Sequence, residues 1–307
     1  MACIVVILVM IFLSSLVHII PGDPARLALG PRATEEMIER AREEMGLDEP
    51  IVLQVAGFIR GAVAGDFGRD FTRRVPVSDL VSAALPHTLI LATTSLFLAV
   101  AIGIPLGIYA AMHQGKLGDR LTALGSISLV TIPPYVAGLF LLIVFSVQLR
   151  IFPAIGAGSF SDPIGYARHL VLPSVALAVT WIGYISRLVR TNMLDVLGSD
   201  YFRTGRASGL HPVKLRYQYA LKNAVIPTVA ILGVAMGQLI GGAIFVEVIF
   251  SRPGLGRLVF DAISSRNFPV VQAGVLVIAV LFVLANLLAD LSYRFLDPRL
   301  RSGEAST

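Results

Sequence analysis

The chain has 307 residues, of which 55% are hydrophobic and only 15% are charged, with a mean hydropathy of +0.78. Average soluble domains contain about 25% charged residues, so this sequence lacks the charged surface that a soluble protein of its length would need. The net charge of +5 would suggest a nucleic-acid partner in a soluble protein, but membrane proteins gain such an excess on their cytoplasmic loops. We therefore expect a polytopic membrane protein that binds no nucleic acid.

Cysteine and histidine are too sparse for disulfide or metal chemistry. Cys3 is the only cysteine, and the five histidines are scattered without a pair at ligand spacing. The sequence also lacks the GxxxxGK[ST] loop that cradles nucleotide phosphates, a Ser/His/Asp arrangement and an HExxH motif. We expect no catalytic residue, no metal and no cofactor on this chain.

The first apolar run covers residues 2–20. A cleaved signal peptide would have a basic leader and a small-residue cleavage site, but no basic residue precedes Arg26 and the polar stretch PGDPAR follows. We predict a retained first membrane span. Residues 21–85 are soluble in character, with an amphipathic surface helix in ATEEMIERAREEMGL that Thr34 would cap.

Five further apolar runs are long enough to cross a bilayer as helices. They cover residues 86–112, 121–147, 170–188, 226–250 and 270–291. The span at 121–147 contains Pro133 and Pro134, which membrane helices tolerate when neighbours satisfy the freed carbonyl groups. The stretch SRPGLGRLVFDAISSRNFP is an outer loop or a re-entrant segment. The sequence therefore predicts an all-α protein with six transmembrane helices.

A polar, basic stretch separates the fourth span from the fifth. Between Asp200 and Pro227 it carries Arg203, Arg206, Lys214, Arg216 and Lys222. Short loops rich in Lys and Arg stay in the cytoplasm, so we expect this loop and, with six spans, both termini on the cytoplasmic side. On its residues alone, the loop is either a docking surface for a protein partner or a basic surface for anionic lipid headgroups.

The fifth predicted span carries a repeat of small residues. Gly233, Gly237 and Gly241 recur every four residues and share one helix face. Small residues at this spacing allow membrane helices to approach closely, either within the chain or between subunits. Gln238 lies beside this face and is a candidate for lining a path. We expect Glu247, near the outer end, to lie in the headgroup region.

Three classes of membrane protein fit these features: a subunit of a multi-component transporter, a self-sufficient secondary transporter or channel, and a scaffold whose basic loop recruits a partner. Secondary transporters are typically built from repeats with matching broken helices, and proton-coupled carriers use acidic residues within their spans. This sequence shows no such pair of broken helices, and Asp290 lies only at the inner end of the last span. These features count against a self-sufficient carrier.

Several motifs resemble those of one permease family. RTGRASGL followed by LKNAVIP resembles the cytoplasmic "EAA" loop of permease subunits in binding-protein-dependent ABC importers, in the version found in dipeptide, oligopeptide, glutathione and nickel permeases. The other landmarks are PGDPA, EMGLDEP, GDFGRD, LPHTL, IPPY, EVIFSRPGLG and LDPRLR, so the resemblance spans nearly the whole chain. The sequence departs from the family at Gly205, where alanine is usual, and at Ser208, where lysine is common.

The resemblance implies a type I ABC importer (MetI-like) permease fold. It divides the chain into an N-terminal transmembrane helix with an extracytoplasmic segment (1–80), a transmembrane permease domain (81–295) and a cytoplasmic tail (296–307). The "EAA" loop would form a short coupling helix that docks on an ATPase, and the loop glycine would permit a sharp turn after it. The matching positions are Arg203, Thr204, Gly205, Arg206, Ala207, Gly209 and Leu210.

The resemblance also implies a function and partners. The chain would be a permease subunit that forms the path for di- and oligopeptides across the bacterial cytoplasmic (inner) membrane. Nickel, glutathione or another small solute is the alternative cargo, and a stand-alone secondary transporter is the less favoured class. The implied partners are two cytoplasmic ATPase subunits that would bind ATP, a second homologous permease, an extracytoplasmic solute-binding protein and membrane lipid. The candidates for path lining or helix packing are Gly233, Gly237, Gln238 and Gly241.

Overall fold

A computed structural model describes residues 2–19, 25–26, 33–44, 50–70, 73–211, 214 and 219–296. Within these ranges the chain forms helices and connecting turns without a β-strand, which confirms the all-α fold class. In chain order the helices are α1 (Ala2–Ile19), α2 (Glu35–Glu44), α3 (Ile51–Ala64), α4 (Val77–Met112), α5 (Leu117–Thr131), α6 (Pro134–Leu141, continued as a π-helix over Leu142–Gln148), α7 (Pro163–Gly198), α8 (Asp200–Ala207), α9 (Leu221–Ile249), α10 (Leu255–Ser264) and α11 (Phe268–Leu296).

Four of these helices are long and apolar enough to cross a membrane. They are α4, α7, the part of α9 from Pro227 to Ile249 and the part of α11 from Phe268 to Ala289. The pair α5 and α6 makes a fifth span if the two helices are counted together. The first predicted span, at residues 2–20, is helical as α1. Its crossing stays a prediction, because the apolar helix identified among the described residues there is Ile4–Ser15, and a span needs roughly 20 residues.

The proline pair breaks the third predicted span. The axes of α5 and α6 differ by 99°, whereas the sequence predicts one span that accommodates the prolines. Ile132, just before Pro133, is extended with φ −80° and ψ 116°, because a proline ring disfavours helical backbone in the residue before it. The carbonyl group of Ile132 still has a partner, since it accepts a hydrogen bond from the Thr180 hydroxyl at 3.3 Å.

Helix α7 lies at the centre of the bundle, where α4, α5, α6 and α9 all pack against it. The approach of α4 to α7 depends on glycine. A Cβ atom on Gly107 would lie 2.5 Å from the Ser186 carbonyl oxygen, and one on Gly103 would lie 3.0 Å from Ile185. Side chains at these two positions would push the helices apart, so the small residues set the spacing at the core.

Between α1 and α4, the short helices α2 and α3 differ in character. In α2 the Thr34 hydroxyl accepts a hydrogen bond from the Met37 N–H at 3.4 Å, which confirms the predicted cap. Helix α3 is apolar, and it packs through Phe58 and Ile59 against a cluster that α1 and α11 form around Leu276. The expectation that residues 21–85 are soluble in character stays a prediction, although α3 is more apolar than it implies.

Candidate functional site

The basic loop contains a short helix, α8, that ends at a glycine. Gly209 has φ +76°, a left-handed conformation that glycine adopts without steric cost. Its N–H donates to the Arg206 carbonyl at 3.2 Å, and the Leu210 N–H donates to the Gly205 carbonyl at 3.3 Å. These two bonds form the Schellman arrangement that satisfies the last carbonyl groups of a helix. The chain therefore turns sharply after α8.

One aromatic side chain attaches α8 to the bundle. Phe202 is only 8% exposed and packs into a cluster of α4, α7 and α9 residues that includes Val189 and Met193. Leu210, just after the turn, packs against the same cluster. The residues that point away from the bundle and are exposed are Arg203, Thr204, Arg206, Ala207, Ser208 and Gly209. The helix thus shows one polar face outside the bundle.

This exposed face is basic. Arg203 has an ion pair with Asp200 at 3.8 Å, but both side chains are largely exposed, and exposed pairs of this kind contribute little to stability. Lys214 and Lys222 are also exposed. Arg216, which belongs to the predicted basic stretch, lies outside the described residues. The surface around α8 therefore offers cationic side chains to an acidic or polar partner.

The structure brings the predicted loop residues into one place but divides their roles. Arg203, Thr204, Arg206 and Ala207 lie on the exposed face, whereas Gly205 is half-buried. Leu210 is half-buried against the bundle and acts as an attachment point instead of as exposed surface. Sequence reasoning missed Phe202. The available signal was the aromatic pair Tyr201 and Phe202 at the start of a mostly polar and basic stretch.

A bidentate ion pair reinforces the bundle near α8. Arg190 of α7 donates from Nε and Nη2 to the two carboxylate oxygens of Asp119 at the start of α5, at 2.5 and 2.9 Å. The Gly115 N–H donates to the same carboxylate at 2.9 Å. Asp119 is only 5% exposed. This paired geometry is the strong form of the Arg–carboxylate interaction, and sequence reasoning missed it because the partners are 71 residues apart.

The glycine face of α9 packs mainly within the chain. A Cβ atom on Gly233 would lie 1.8 Å from the Ala289 Cβ, and one on Gly237 would lie 2.8 Å from the Phe282 ring. Both positions therefore allow α9 and α11 to approach closely. A Cβ atom on Gly241 would meet no atom of the described residues within 4 Å, and Gln238 is exposed on this chain. The four predicted residues thus divide into two packing positions and two outward-facing ones.

At the opposite end of α9, Glu247 is completely buried. The expectation that it lies in the headgroup region is wrong. One carboxylate oxygen accepts a hydrogen bond from the Thr88 hydroxyl at 2.6 Å, and the other accepts from the N–H groups of Gly256 and Arg257 at 2.8 and 3.2 Å. The Thr88 hydroxyl also accepts a bond from the Leu255 N–H at 2.8 Å. The Glu247 carboxylate and the Thr88 hydroxyl thus cap the N-terminus of α10, where the helix dipole favours a negative charge.

The PGLG motif is explained by this contact. A Cβ atom on Gly254 would lie 2.1 Å from a Glu247 carboxylate oxygen, and one on Gly256 would lie 2.4 Å from the Ile244 Cα. Both positions therefore require glycine as long as Glu247 caps α10. Gly254 thus leaves space for the buried carboxyl group, and Gly256 allows the start of α10 to lie against Ile244 of α9.

A buried arginine completes this region. Arg252 donates from Nη2 to the Tyr166 hydroxyl at 2.9 Å, and its guanidinium carbon lies 5.2 Å from the centre of the Tyr166 ring. Burial lowers the pKa of Arg252 from its ordinary value, while Tyr166 and Glu247 oppose that shift. The contact ties the turn after α9 to the start of α7.

Membrane-length helices packed around α7 define a polytopic membrane protein, and one connecting loop exposes a basic helix. A protein-family model described as "Binding-protein-dependent transport system inner membrane component" matches residues 103–302, and the N-terminal model of the same system matches residues 1–92. The chain belongs to this family and is a permease subunit of a binding-protein-dependent ABC importer.

Relatives with similar sequences carry related names. The chain is 39% identical over 298 residues to the probable peptide ABC transporter permease protein y4tP of Sinorhizobium fredii, covering 97% of this chain and 95% of the relative. It is also 39% identical over 296 residues to the glutathione transport system permease protein GsiC of Escherichia coli K12, covering 96% and 94%. These matches extend over nearly the full length of both chains.

A solved structure supports the fold. The inward-facing MetNI methionine ABC transporter has a chain that superposes with a TM-score of 0.59 at 18% identity, over 71% of this chain and 96% of that one. At this level of identity the likeness shows the fold alone. The type I importer permease fold implied by the sequence motifs is thereby confirmed.

Proposed function

We propose that this permease forms, together with a second homologous permease, the path for di- and oligopeptides across the bacterial cytoplasmic membrane. ATP hydrolysis on two partner ATPases drives the transport, and an extracytoplasmic binding protein delivers the cargo. The relative named as a peptide permease supports this cargo. Glutathione, itself a small peptide, is the alternative cargo that the equally similar glutathione permease supports. Nickel or another small solute is a further alternative.

Helix α8 is the observation that supports the coupling role. Its exposed basic face, its aromatic anchor Phe202 and its glycine turn suit a helix that inserts into a groove of an ATPase. In this proposal the bundle end that carries α8 is cytoplasmic, as are both chain termini, and the end that carries α10 is extracytoplasmic. Closure of the ATPases would move α8, and the packed spans would follow as a rigid unit.

The outward-facing side of α9 supports a path between two permeases. Gln238 and Gly241 face away from this chain, and a polar residue within a membrane span is expected to face a partner or a water-filled path. Gly233 and Gly237 would then keep α9 against α11 while the neighbouring residues line the path.

Replacement of Gly209 by valine tests the coupling role. Valine at φ +76° would strain the turn by about 1–2 kcal/mol and displace the end of α8. In proteoliposomes that contain the complete importer, we expect Gly209→Val to lose most of its ATP-driven uptake of labelled peptide. We also expect the ATPases still to bind and hydrolyse ATP, at a rate that the addition of cargo no longer raises.

Gly65→Val is the matched control, because Gly65 also ends a short helix, α3, with φ +77°. This variant carries the same backbone strain on the other side of the membrane, and we expect it to keep coupled transport. Normal uptake by Gly209→Val would contradict the coupling role. Peptide uptake by this chain without any ATPase would instead support a stand-alone carrier.

A further inference from the structure

The strongest unexplained feature is the exposed face of α3. The side of the helix that carries Phe58, Ile59 and Ala62 packs against α1 and α11. The opposite side is exposed and consists of Val52, Leu53, Ala56, Gly57, Arg60, Val63 and Ala64. Val52 is 78% exposed and Val63 is 84% exposed. Apart from one arginine, α3 is therefore apolar on the side that faces away from the protein as well.

Helix α2 shows what a water-facing helix of the same segment looks like. Ile38 is its buried apolar residue, at 3% exposure. Its exposed side carries charged residues, among them Glu35, Glu36, Glu39 and Arg40. This is the usual division of a surface helix between core and water. The two helices are neighbours in the chain, so the difference points to different surroundings, not to a general property of the segment.

The packing of α3 places it at the depth of the membrane. Phe58, Ile59 and Ala62 share their cluster with Leu276, which lies eight residues into the span Phe268–Ala289, or about 12 Å from its start at 1.5 Å per residue. The hydrocarbon core of a bilayer is about 30 Å thick. The cluster therefore lies well inside the length of α11 that crosses the membrane.

We propose that α3 is immersed in one leaflet of the bilayer, with its exposed face against phospholipid acyl chains. The leaflet is the one at the α10 end of the bundle, which is the outer leaflet in the orientation proposed above. Helix α3 has 14 residues and is about 21 Å long, too short to cross. Helix α1, against which α3 packs, also exposes the apolar side chains of Leu8 and Phe12.

Lipid explains this face better than water does. An apolar face this exposed would be costly in water, and apolar patches on a protein surface mark contact with another apolar phase. Arg60 is the single charge on the face, and its long stem allows the guanidinium to reach headgroup phosphates while the methylene groups stay among acyl chains. The segment between α1 and α4 thus combines a water-facing helix, α2, with a lipid-facing helix, α3.

Site-directed spin labelling tests the proposal directly. The natural thiol is removed by Cys3→Ser, and a nitroxide is attached to cysteine at Val52 or at Val63 in the complete importer, reconstituted into nanodiscs of phosphatidylethanolamine and phosphatidylglycerol. The collision rates of the label with oxygen, which concentrates in lipid, and with a water-soluble nickel chelate are then compared. Phe97, exposed on the membrane span α4, provides the lipid reference, and Glu39 on α2 provides the water reference.

We expect labels at Val52 and Val63 to give an oxygen-to-nickel collision ratio close to that at Phe97 and several-fold higher than that at Glu39. A ratio equal to that at Glu39 would show that α3 faces water and would overturn the proposal. Low collision rates with both reagents would show that another protein covers the face, which also overturns it. None of these outcomes depends on the transported cargo, so failure here leaves the coupling proposal untouched.

Discussion

The two ends of α9 each carry a short helix, but the bundle holds these helices very differently. At one end, α10 is capped by the buried Glu247 and contributes the buried residues Leu255, Val259 and Ala262 to the core. At the other end, α8 touches the bundle mainly through Phe202 and shows its polar face outside. The comparison indicates that α10 is fixed in the core of the bundle, whereas α8 has few buried contacts with it.

The difference has a physical basis in buried polar groups. Glu247 satisfies N–H groups at the start of α10 inside the protein, where a lost partner could not be replaced by water. The start of α8 is exposed, and water can satisfy its backbone groups. Segments with few buried contacts open at low free energy, so we expect α8 to open without unfolding of the spans.

The largest expected loss of thermal stability comes from Glu247→Ala, which removes the buried cap of α10. The Thr88 hydroxyl and the N–H groups of Gly256 and Arg257 would lose their acceptor, and each buried donor left unpaired costs about 1–3 kcal/mol. We expect a strong fall in the thermal unfolding midpoint of the detergent-solubilised importer, or failure to assemble. Asp261→Ala, which removes a carboxylate from an exposed pair on the same helix, should leave the midpoint nearly unchanged. Equal midpoints for the two variants would contradict the role of Glu247.

An intermediate effect is expected for Asp119→Ala, near the α8 end. The bidentate bond from Arg190 and the bond from Gly115 are lost, and hydrogen bonds to charged groups contribute about 1.5–3 kcal/mol each. Water can reach part of this site because Arg190 is partly exposed, so the destabilisation should be smaller than for Glu247→Ala. The measurement is again the thermal midpoint, with the exposed Asp195→Ala on α7 as the control. A larger fall in the thermal midpoint than that of Glu247→Ala would contradict the proposed difference in stability between the two ends of the bundle.

The smallest effect on global stability is expected for Phe202→Ala. Removing the aromatic anchor should free α8 while the spans remain folded, because few other contacts attach this helix. Hydrogen exchange over Asp200–Ala207 should become faster, with the unfolding midpoint shifted little and with ATP-driven uptake reduced. Arg203→Ala, which alters only the exposed face, should leave hydrogen exchange of α8 as it is. Unchanged protection of α8 in Phe202→Ala would show that another contact holds the helix.

Patterns along the chain predicted the elements that depend on local residues. Hydropathy located the four long spans, and the proximity of Thr34 to acidic residues predicted the cap of α2. The same approach did not single out α3, a helix of 14 residues that is apolar except for Gln54 and Arg60, because its packing in the cluster of α1 and α11 residues is not visible in the sequence. Sequence patterns also misplaced Glu247. An acidic residue near the end of a predicted span is expected in the lipid headgroup region when its hydrogen-bond partners are unknown.

The sequence by itself determined that this protein is an all-helical membrane permease with a basic loop, because apolar length, basic charge and motif order are properties of the chain read in one dimension. Only the tertiary structure decided which polar groups meet. Thr88 lies 159 residues from Glu247, and Asp119 lies 71 residues from Arg190, and no local pattern links partners so far apart. The same holds for the two faces of α3, whose surroundings are set by the helices that pack against it.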